Sequence, residues 1–198
     1  LTFPALPWQR TVRGSIWAVA MVRDEEDVVA LTVRHILEQG VDHVLIADNR
    51  STDATPRLLA DLAAADPRVH LARDDEPAYY QAEKMSALAR RAWAAGADWV
   101  IPFDADEFWF ARGESVGDYL RGLDRGVTVA HADFHHMVPT EPHPADLATA
   151  TFCLDATASF PGKVALRAHP LATLSAGNHE VSRVGSRVGG LFIAHAVY

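Results

Sequence analysis

A single cysteine, Cys153, occurs in the 198 residues. It cannot close an intramolecular disulfide, so a reducing compartment, the cytoplasm, is expected. No apolar run approaches the ~20 residues of a membrane-spanning helix, so no integral membrane segment is expected. Leu1 opens no charged-then-apolar leader, so no signal peptide is expected either. The absent initiator Met and the stop at Tyr198, directly after an apolar run, point to a chain trimmed from something longer. Positive charge is scarce: 18 Lys and Arg face 26 Asp and Glu, for a formal net charge of −8. That balance argues against nucleic acid or an anionic membrane as partner and leaves room only for a local cationic pocket. Internal repeats and low-complexity tracts are missing, as are GxGxxG, GxxxxGK[ST] and the spaced histidines of a zinc enzyme. What remains is 49% hydrophobic and 22% charged, the balance of a globular chain with a full core. One domain over 1–198 is expected, with halves at 15–110 and 111–198.

The first half alternates apolar runs with helical patterns. Strands are expected over 15–22, 44–47, 69–72 and 99–103, because each run is short, apolar and bounded by breakers. Between them lie a helix from an Asp24 cap to Gln39, one opened by Pro56, and one over 79–95 stopped by Gly96. This alternation predicts an α/β fold: an open, mostly parallel sheet with helices on both faces. The second half reads as a short, largely antiparallel part. Ser115 caps a helix to Arg121, a strand covers 128–134, and a proline-dense loop covers 135–150. Short strands are expected at 163–167, 172–175 and 191–196.

Three of the first-half strands end in polar clusters: Arg23 to Asp27, Asp48 to Asp53, and Asp104 to Glu107. Parallel strands bring such ends to one sheet edge, where open α/β sheets bind ligands. Asp104 and Asp106, one residue apart, can both reach a hard cation such as Mg²⁺ or Mn²⁺. A solvated acidic loop has the same composition, and helix capping accounts for part of the other two clusters. Capping does not call for Asp48 and Asn49, nor for Asp106 and Glu107.

These clusters resemble the family 2-type glycosyltransferases, which have the GT-A fold. The acidic pair after the first strand is Asp24-Glu25. The second strand ends in Asp48-Asn49-Arg50-Ser51-Thr52-Asp53. A Lys-x-x-Ala-Leu segment, Lys84 to Leu88, precedes the Asp-x-Asp of Asp104-Ala105-Asp106. The resemblance covers roughly residues 15 to 110. It implies a nucleotide-sugar donor, most often a UDP-sugar, an acceptor hydroxyl and, by default, inversion. It implies that Arg23, Glu25, Asp48, Asn49 and Ser51 hold the nucleotide. Lys84 would approach the diphosphate or neighbouring carboxylates. Asp106, with Asp104, would bind the Mn²⁺ or Mg²⁺ that bridges the diphosphate, and His195 would complete that metal site.

Gly162-Lys163-Val164 and Gly177 to Val181 look like segments of a subgroup with a short C-terminal part. The acceptor hydroxyl must lose a proton during attack, and a carboxylate or imidazole can take it. Glu180 and His179 are the candidate bases, with Asp133 as a third. His131, His135, His136 and His143 match no zinc spacing and read as acceptor-side or loop residues. Phe108, Trp109 and Phe110 can stack on a sugar or belong to the core. Two other functions share part of this pattern. A nucleotidyltransferase would carry a Gly-rich basic loop where Asp24 to Asp27 stand, and a non-catalytic nucleotide- or carbohydrate-binding module would not turn over a donor.

Overall fold

A computed structural model describes residues 1–6, 11–141, 147–156, 161–183 and 185–197. Four strands, β1 (Ile16–Val22), β2 (His43–Asp48), β3 (Val69–Arg73) and β4 (Trp99–Pro102), alternate with α1 (Val29–Glu38), α2 (Thr55–Ala65) and α3 (Gln81–Ala94). There follow β5 (Glu107–Ala111), α4 (Val116–Gly122), β6 (Val127–Pro139), β7 (Phe152–Leu154), β8 (Lys163–Arg167) and β9 (Ser186–Ala196). One sheet joins both halves in the order β3-β2-β1-β4-β8-β6-β9-β5, with β7 on β6. The strands β3, β2, β1 and β4 are parallel. Beyond β4 the pairing is antiparallel, except that β6 and β9 run parallel. The expected mixed α/β architecture is therefore present.

The apolar runs form central strands because both faces are covered. Ile16, Ala18 and Ala20 point to the side of α1, where Val29, Val33 and Ile36 pack with Leu59 and Leu120. Trp17 and Val19 point the other way, onto Met85, Leu88 and Ala92 of α3. No helix among the described residues is long and apolar enough to cross a membrane.

Several boundaries differ from the sequence-based expectation. Asp24 does not cap a helix: its φ is 53°, α1 begins five residues later, and its carboxylate accepts from Thr52 N instead, at 2.6 Å. Phe108-Trp109-Phe110 lie in β5, which pairs with β9 at the sheet end. Trp109 is buried, and Phe110 stacks on Phe192 at 5.2 Å, so these aromatics serve the core and the sheet. The 135–150 loop is shorter than expected, because β6 continues to Pro139. Its continuation is stabilised by pairing with β9, a non-local partner that local proline content does not reveal. Over 172–175 only an isolated bridge forms, between Leu174 and Val181. Tyr79 and Tyr80 precede α3 rather than belonging to it.

Candidate active site

The first two polar clusters lock together at the carboxyl ends of β1 and β2. Asp24 N donates to Ser51 Oγ at 2.9 Å, and Glu25 N to Thr55 Oγ1 at 2.8 Å. Glu26 N donates to Asp53 Oδ2 at 3.0 Å, while Glu26 Oε2 accepts from Ala54 N at 2.6 Å. These reciprocal bonds satisfy three N–H groups of the loop after β1 and, at Ala54, one N–H ahead of α2. Arg23 lies exposed beside Asp24, at 3.6 Å. The Asp104 loop joins the same edge through Thr32 on α1, whose hydroxyl donates to Ala105 O. The convergence registers electrostatically at Glu25. Burial, then the charges of Asp106, Asp27, Asp104 and Asp53, push its carboxyl up to about 7. Among the described residues, three other than glycine adopt positive φ: Asp24 and Arg50 on loops of this edge, and Asn178 in a short 3-10 turn that contacts Asp104. Backbone strain of this kind is commonly retained for function.

A cavity of about 430 Å³ opens beside Asp48, lined by Arg50, Ser51, Leu59, Leu71 and Arg73 among others. Asp48 Oδ1 is buried without a hydrogen-bond donor among the described residues. A buried acceptor left unpaired costs free energy, so an arriving donor group would be favoured there. Asn49 turns elsewhere. Its Nδ2 donates to Asp74 Oδ2 at 2.7 Å and to Glu76 O at 2.8 Å. Lys84 meets the same carboxylate at 2.6 Å and donates to Glu76 O and Ala78 O. All of its donors are thereby engaged, so of the two roles expected for Lys84 the structure displays the contact with a neighbouring carboxylate. Asp74 itself was not singled out by sequence reasoning.

The chain has only two lysines, Lys84 and Lys163, and both are buried on carboxylates. Lys163 Nζ lies 2.7 Å from Asp104 Oδ2 and 2.6 Å from Glu107 Oε1. Asn178 Nδ2 adds a long contact of 3.4 Å to Asp104 Oδ1. Burial and the Asp104 charge push Glu107 up to about 7, against the pull of Lys163. Burial alone would lower Lys163, but Glu107 and Asp104 overbalance it and hold the ammonium protonated. Lys163 and Glu107 were assigned no role from sequence. The available signal was a lone lysine opening the apolar run Val164-Ala165-Leu166.

Asp106 faces the other way. Its Oδ2 lies 3.0 Å from His195 Nε2, and this bond raises the imidazole's pKa against the opposing effect of burial. Of the three expected metal ligands, the structure therefore pairs Asp106 with His195, while Asp104 is bound to Lys163. Among the described residues no three carboxylate, imidazole or thiol groups enclose an ion by themselves.

The candidate bases lie in the second half. His179 Nδ1 is 2.8 Å from Gly162 O. Glu180 is exposed, and its Oε2 accepts from Arg187 Nη1 at 2.9 Å. Asp133 is exposed on β6. His131 contacts Arg187, His135 contacts Asp155 O, and His136 packs edge-on to His195. His143 lies outside the described residues. A larger cavity, about 740 Å³, opens at the opposite sheet edge near Asp98 and Arg167. Two of its arginines are already paired: Arg167 Nη1 donates to both Asp98 oxygens at 2.9 Å, and Arg121 meets Asp42 at 2.9 Å. It lies away from the three converging loops.

The model of glycosyl transferase family 2 matches residues 18–176. The chain belongs to that family, and its sheet and helices have the GT-A glycosyltransferase architecture. A mannosyltransferase from Pyrobaculum calidifontis, solved with GDP-Man and Mn²⁺, superposes with a TM-score of 0.50 at 22% identity, over 64% of this chain and 38% of that one. S. aureus TarS 1-349 gives 0.57 at 10% identity, over 91% and 60%. GalNAc-T7, solved with UDP, GalNAc and Mn²⁺, gives 0.61 at 12% identity, over 92% and 44%. The chain thus spans less than two thirds of each of these proteins. A search of curated proteins returns no match.

Proposed function

We propose that this chain transfers a sugar from a nucleotide-sugar, in first place a UDP-sugar, to an acceptor hydroxyl with inversion, assisted by Mn²⁺ or Mg²⁺. The observation that carries this reading is the convergence of three polar loops at one sheet edge, with Asp48 Oδ1 unpaired beside a cavity. Asp48 accepts from the base or ribose, with Ser51 in the same cavity wall and Arg23 and Glu25 contributed by the adjoining loop. Lys84 and Asn49 act from beneath by fixing Asp74.

The donor set suits a divalent ion. Asp106 offers a carboxylate and His195 an imidazole, a pairing that favours Mn²⁺ over Mg²⁺. Asp104 is 31% exposed at its side chain and lies two residues before Asp106. Two or three protein ligands leave positions for diphosphate oxygens. The carboxylates of Asp106, Asp27, Asp104 and Asp53, which add to burial in raising Glu25, are themselves a reason for a cation to settle here. When bound, the ion neutralises charge building on the leaving nucleoside diphosphate. The GDP-Man, UDP and Mn²⁺ held by solved relatives accord with this donor and ion class. Glu180 or His179 takes the acceptor proton, with Asp133 as the third option. The whole of 1–198 acts as one unit, 15–110 toward the donor and 111–198 toward the acceptor.

Thermal shift and calorimetry with nucleoside diphosphates, with and without Mn²⁺, test the reading. A ligand at 100 times its dissociation constant stabilises by about 2.7 kcal/mol. No response to any nucleoside diphosphate would sink it. Binding without turnover of a nucleotide-sugar, even by hydrolysis, would instead favour a non-catalytic module.

A further inference from the structure

Tyr79 and Tyr80 are 68% and 58% exposed, the only exposed aromatic residues among the described ones. Neither phenol has a hydrogen-bond partner among those residues. Two adjacent aromatic rings left in water forgo the burial that normally makes such residues valuable, so their placement needs a reason.

The loop that presents them is built from below. Asp74 is fully buried and bonded to Lys84 and Asn49. Lys84 then holds the backbone of the loop at Glu76 O and Ala78 O, and Lys84 N donates to Tyr80 O at 3.0 Å. A buried ion pair is weak evidence for stability, because desolvation offsets much of its attraction. Here it fixes the carbonyls immediately ahead of the two tyrosines.

The same loop reaches the Asp104 loop through a short path. Gln81, next in the chain, accepts from Gly177 N at 2.7 Å through its Oε1. Asn178 follows Gly177, and its side chain contacts Asp104. Tyr79 also feels the charges there. Partial desolvation and Asp104 push its phenol up, with Lys163 opposing. A loop whose backbone is held from below thus presents an aromatic pair toward the rim of the proposed transfer site.

We infer that Tyr79 and Tyr80 form a platform that binds a sugar ring at the Asp104 rim, the ring belonging either to the donor or to a saccharide acceptor. An aromatic face covers the apolar C–H face of a pyranose, while the phenol hydroxyls bond to its rim hydroxyls. This inference rests on the glycosyl-transfer reading.

The test compares the parent with Tyr79→Ala/Tyr80→Ala and Tyr79→Phe/Tyr80→Phe. Calorimetry with Mn²⁺ measures affinity for UDP and GDP, and for UDP-glucose and GDP-mannose. Saturation-transfer NMR, with UDP and diamagnetic Mg²⁺ present, follows a panel of methyl glycosides. Affinity for the bare nucleotides is expected to stay within about twofold in every variant. If the platform takes the donor sugar, the double alanine change lowers nucleotide-sugar affinity relative to the nucleotide by about tenfold. If it takes an acceptor, that ratio holds and the glycoside signal disappears. The double phenylalanine variant, which keeps both rings, retains most of the effect in either case. If neither readout separates the alanine variant from the parent, the platform is overturned while the glycosyl-transfer reading stands. If the parent binds no nucleoside diphosphate, that reading falls and the platform falls with it.

Discussion

Lys163 Nζ stands 2.6 Å from Glu107 Oε1 and 2.7 Å from Asp104 Oδ2, so one buried ammonium serves two carboxylates behind the Asp-x-Asp loop. Lys163 and Glu107 are almost wholly buried, and Glu107 Oε2 also accepts from Asp104 N at 3.1 Å. The cluster sets the direction of the Asp104 side chain. Replacing Lys163 by Met should cost roughly 3 kcal/mol or more, since Glu107 loses its counter-charge in a site closed to water. Adding Glu107→Gln should restore much of the loss. Urea unfolding of the single and double variants checks this, and a single variant as stable as the parent would contradict it.

Asp106→Asn and His195→Ala should each weaken the Mn²⁺-dependent part of UDP affinity while the fold survives. Both side chains are partly exposed at the sheet edge, so neither supports the core. Calorimetry with and without the ion gives the comparison. A parent affinity that ignores Mn²⁺ would refute the metal site outright.

Asp48→Ala should lower UDP affinity and leave the circular dichroism spectrum unchanged. The buried Oδ1 has no donor to lose within the described residues, so its removal breaks no internal bond. About tenfold weaker binding corresponds to one hydrogen bond of ordinary strength. Equal affinity in both proteins would remove Asp48 from the nucleotide site.

Glu180→Gln separates catalysis from structure. If Glu180 is the base, transfer should fall by roughly 10²-fold or more with donor binding intact. If it serves only Arg187, turnover should be unchanged, with at most a small stability loss, because the pair is exposed. The role would then move to His179 or Asp133.

A pH effect should come from His43 and His70, whose Nδ1 and Nε2 lie 3.2 Å apart beside the Trp17 ring. Burial holds both imidazoles below their ordinary pKa. For His43, Asp42 opposes the shift and Arg68 adds to it, and His43 lowers His70 further. Above pH 6.5 neither state binds the proton and the pair contributes no pH dependence. As pH falls through that value, the unfolded chain takes up protons that the folded chain resists, so stability drops. The loss of melting temperature between pH 7.5 and 5.5 should be smaller in His70→Gln than in the parent. An equal loss would show that other groups carry the effect.

The first half was largely legible before the fold was known. The runs at 15–22, 44–47, 69–72 and 99–103 are short, apolar and interrupted by breakers, and they became β1 to β4. Their polar ends had to meet once the strands were parallel, which placed Asp48 and Asp104 at one edge. The second half was harder to read. Its strands β5, β6 and β9 owe their length to pairing across large sequence separations. Local pattern reports such pairing poorly, so it overstates the 135–150 loop and gives no sign of β5. The aromatics of β5 read from sequence as sugar-stacking or core residues, whereas the exposed rings among the described residues are Tyr79 and Tyr80, which the sequence pattern places in a helix.

Sequence alone pointed to a shared edge for Asp48, Asp104 and Asp106, because alternating strand and helix patterns imply parallel strands whose carboxyl ends lie together. Which partner each polar group would choose was decided only by the tertiary structure. Lys84 and Asn49 close on Asp74, Lys163 closes on Glu107 and Asp104, and Asp106 turns to His195. These contacts join residues up to 89 positions apart, from Asp106 to His195. A buried charge must find its counter-charge wherever packing has carried it, and no local spacing encodes that choice.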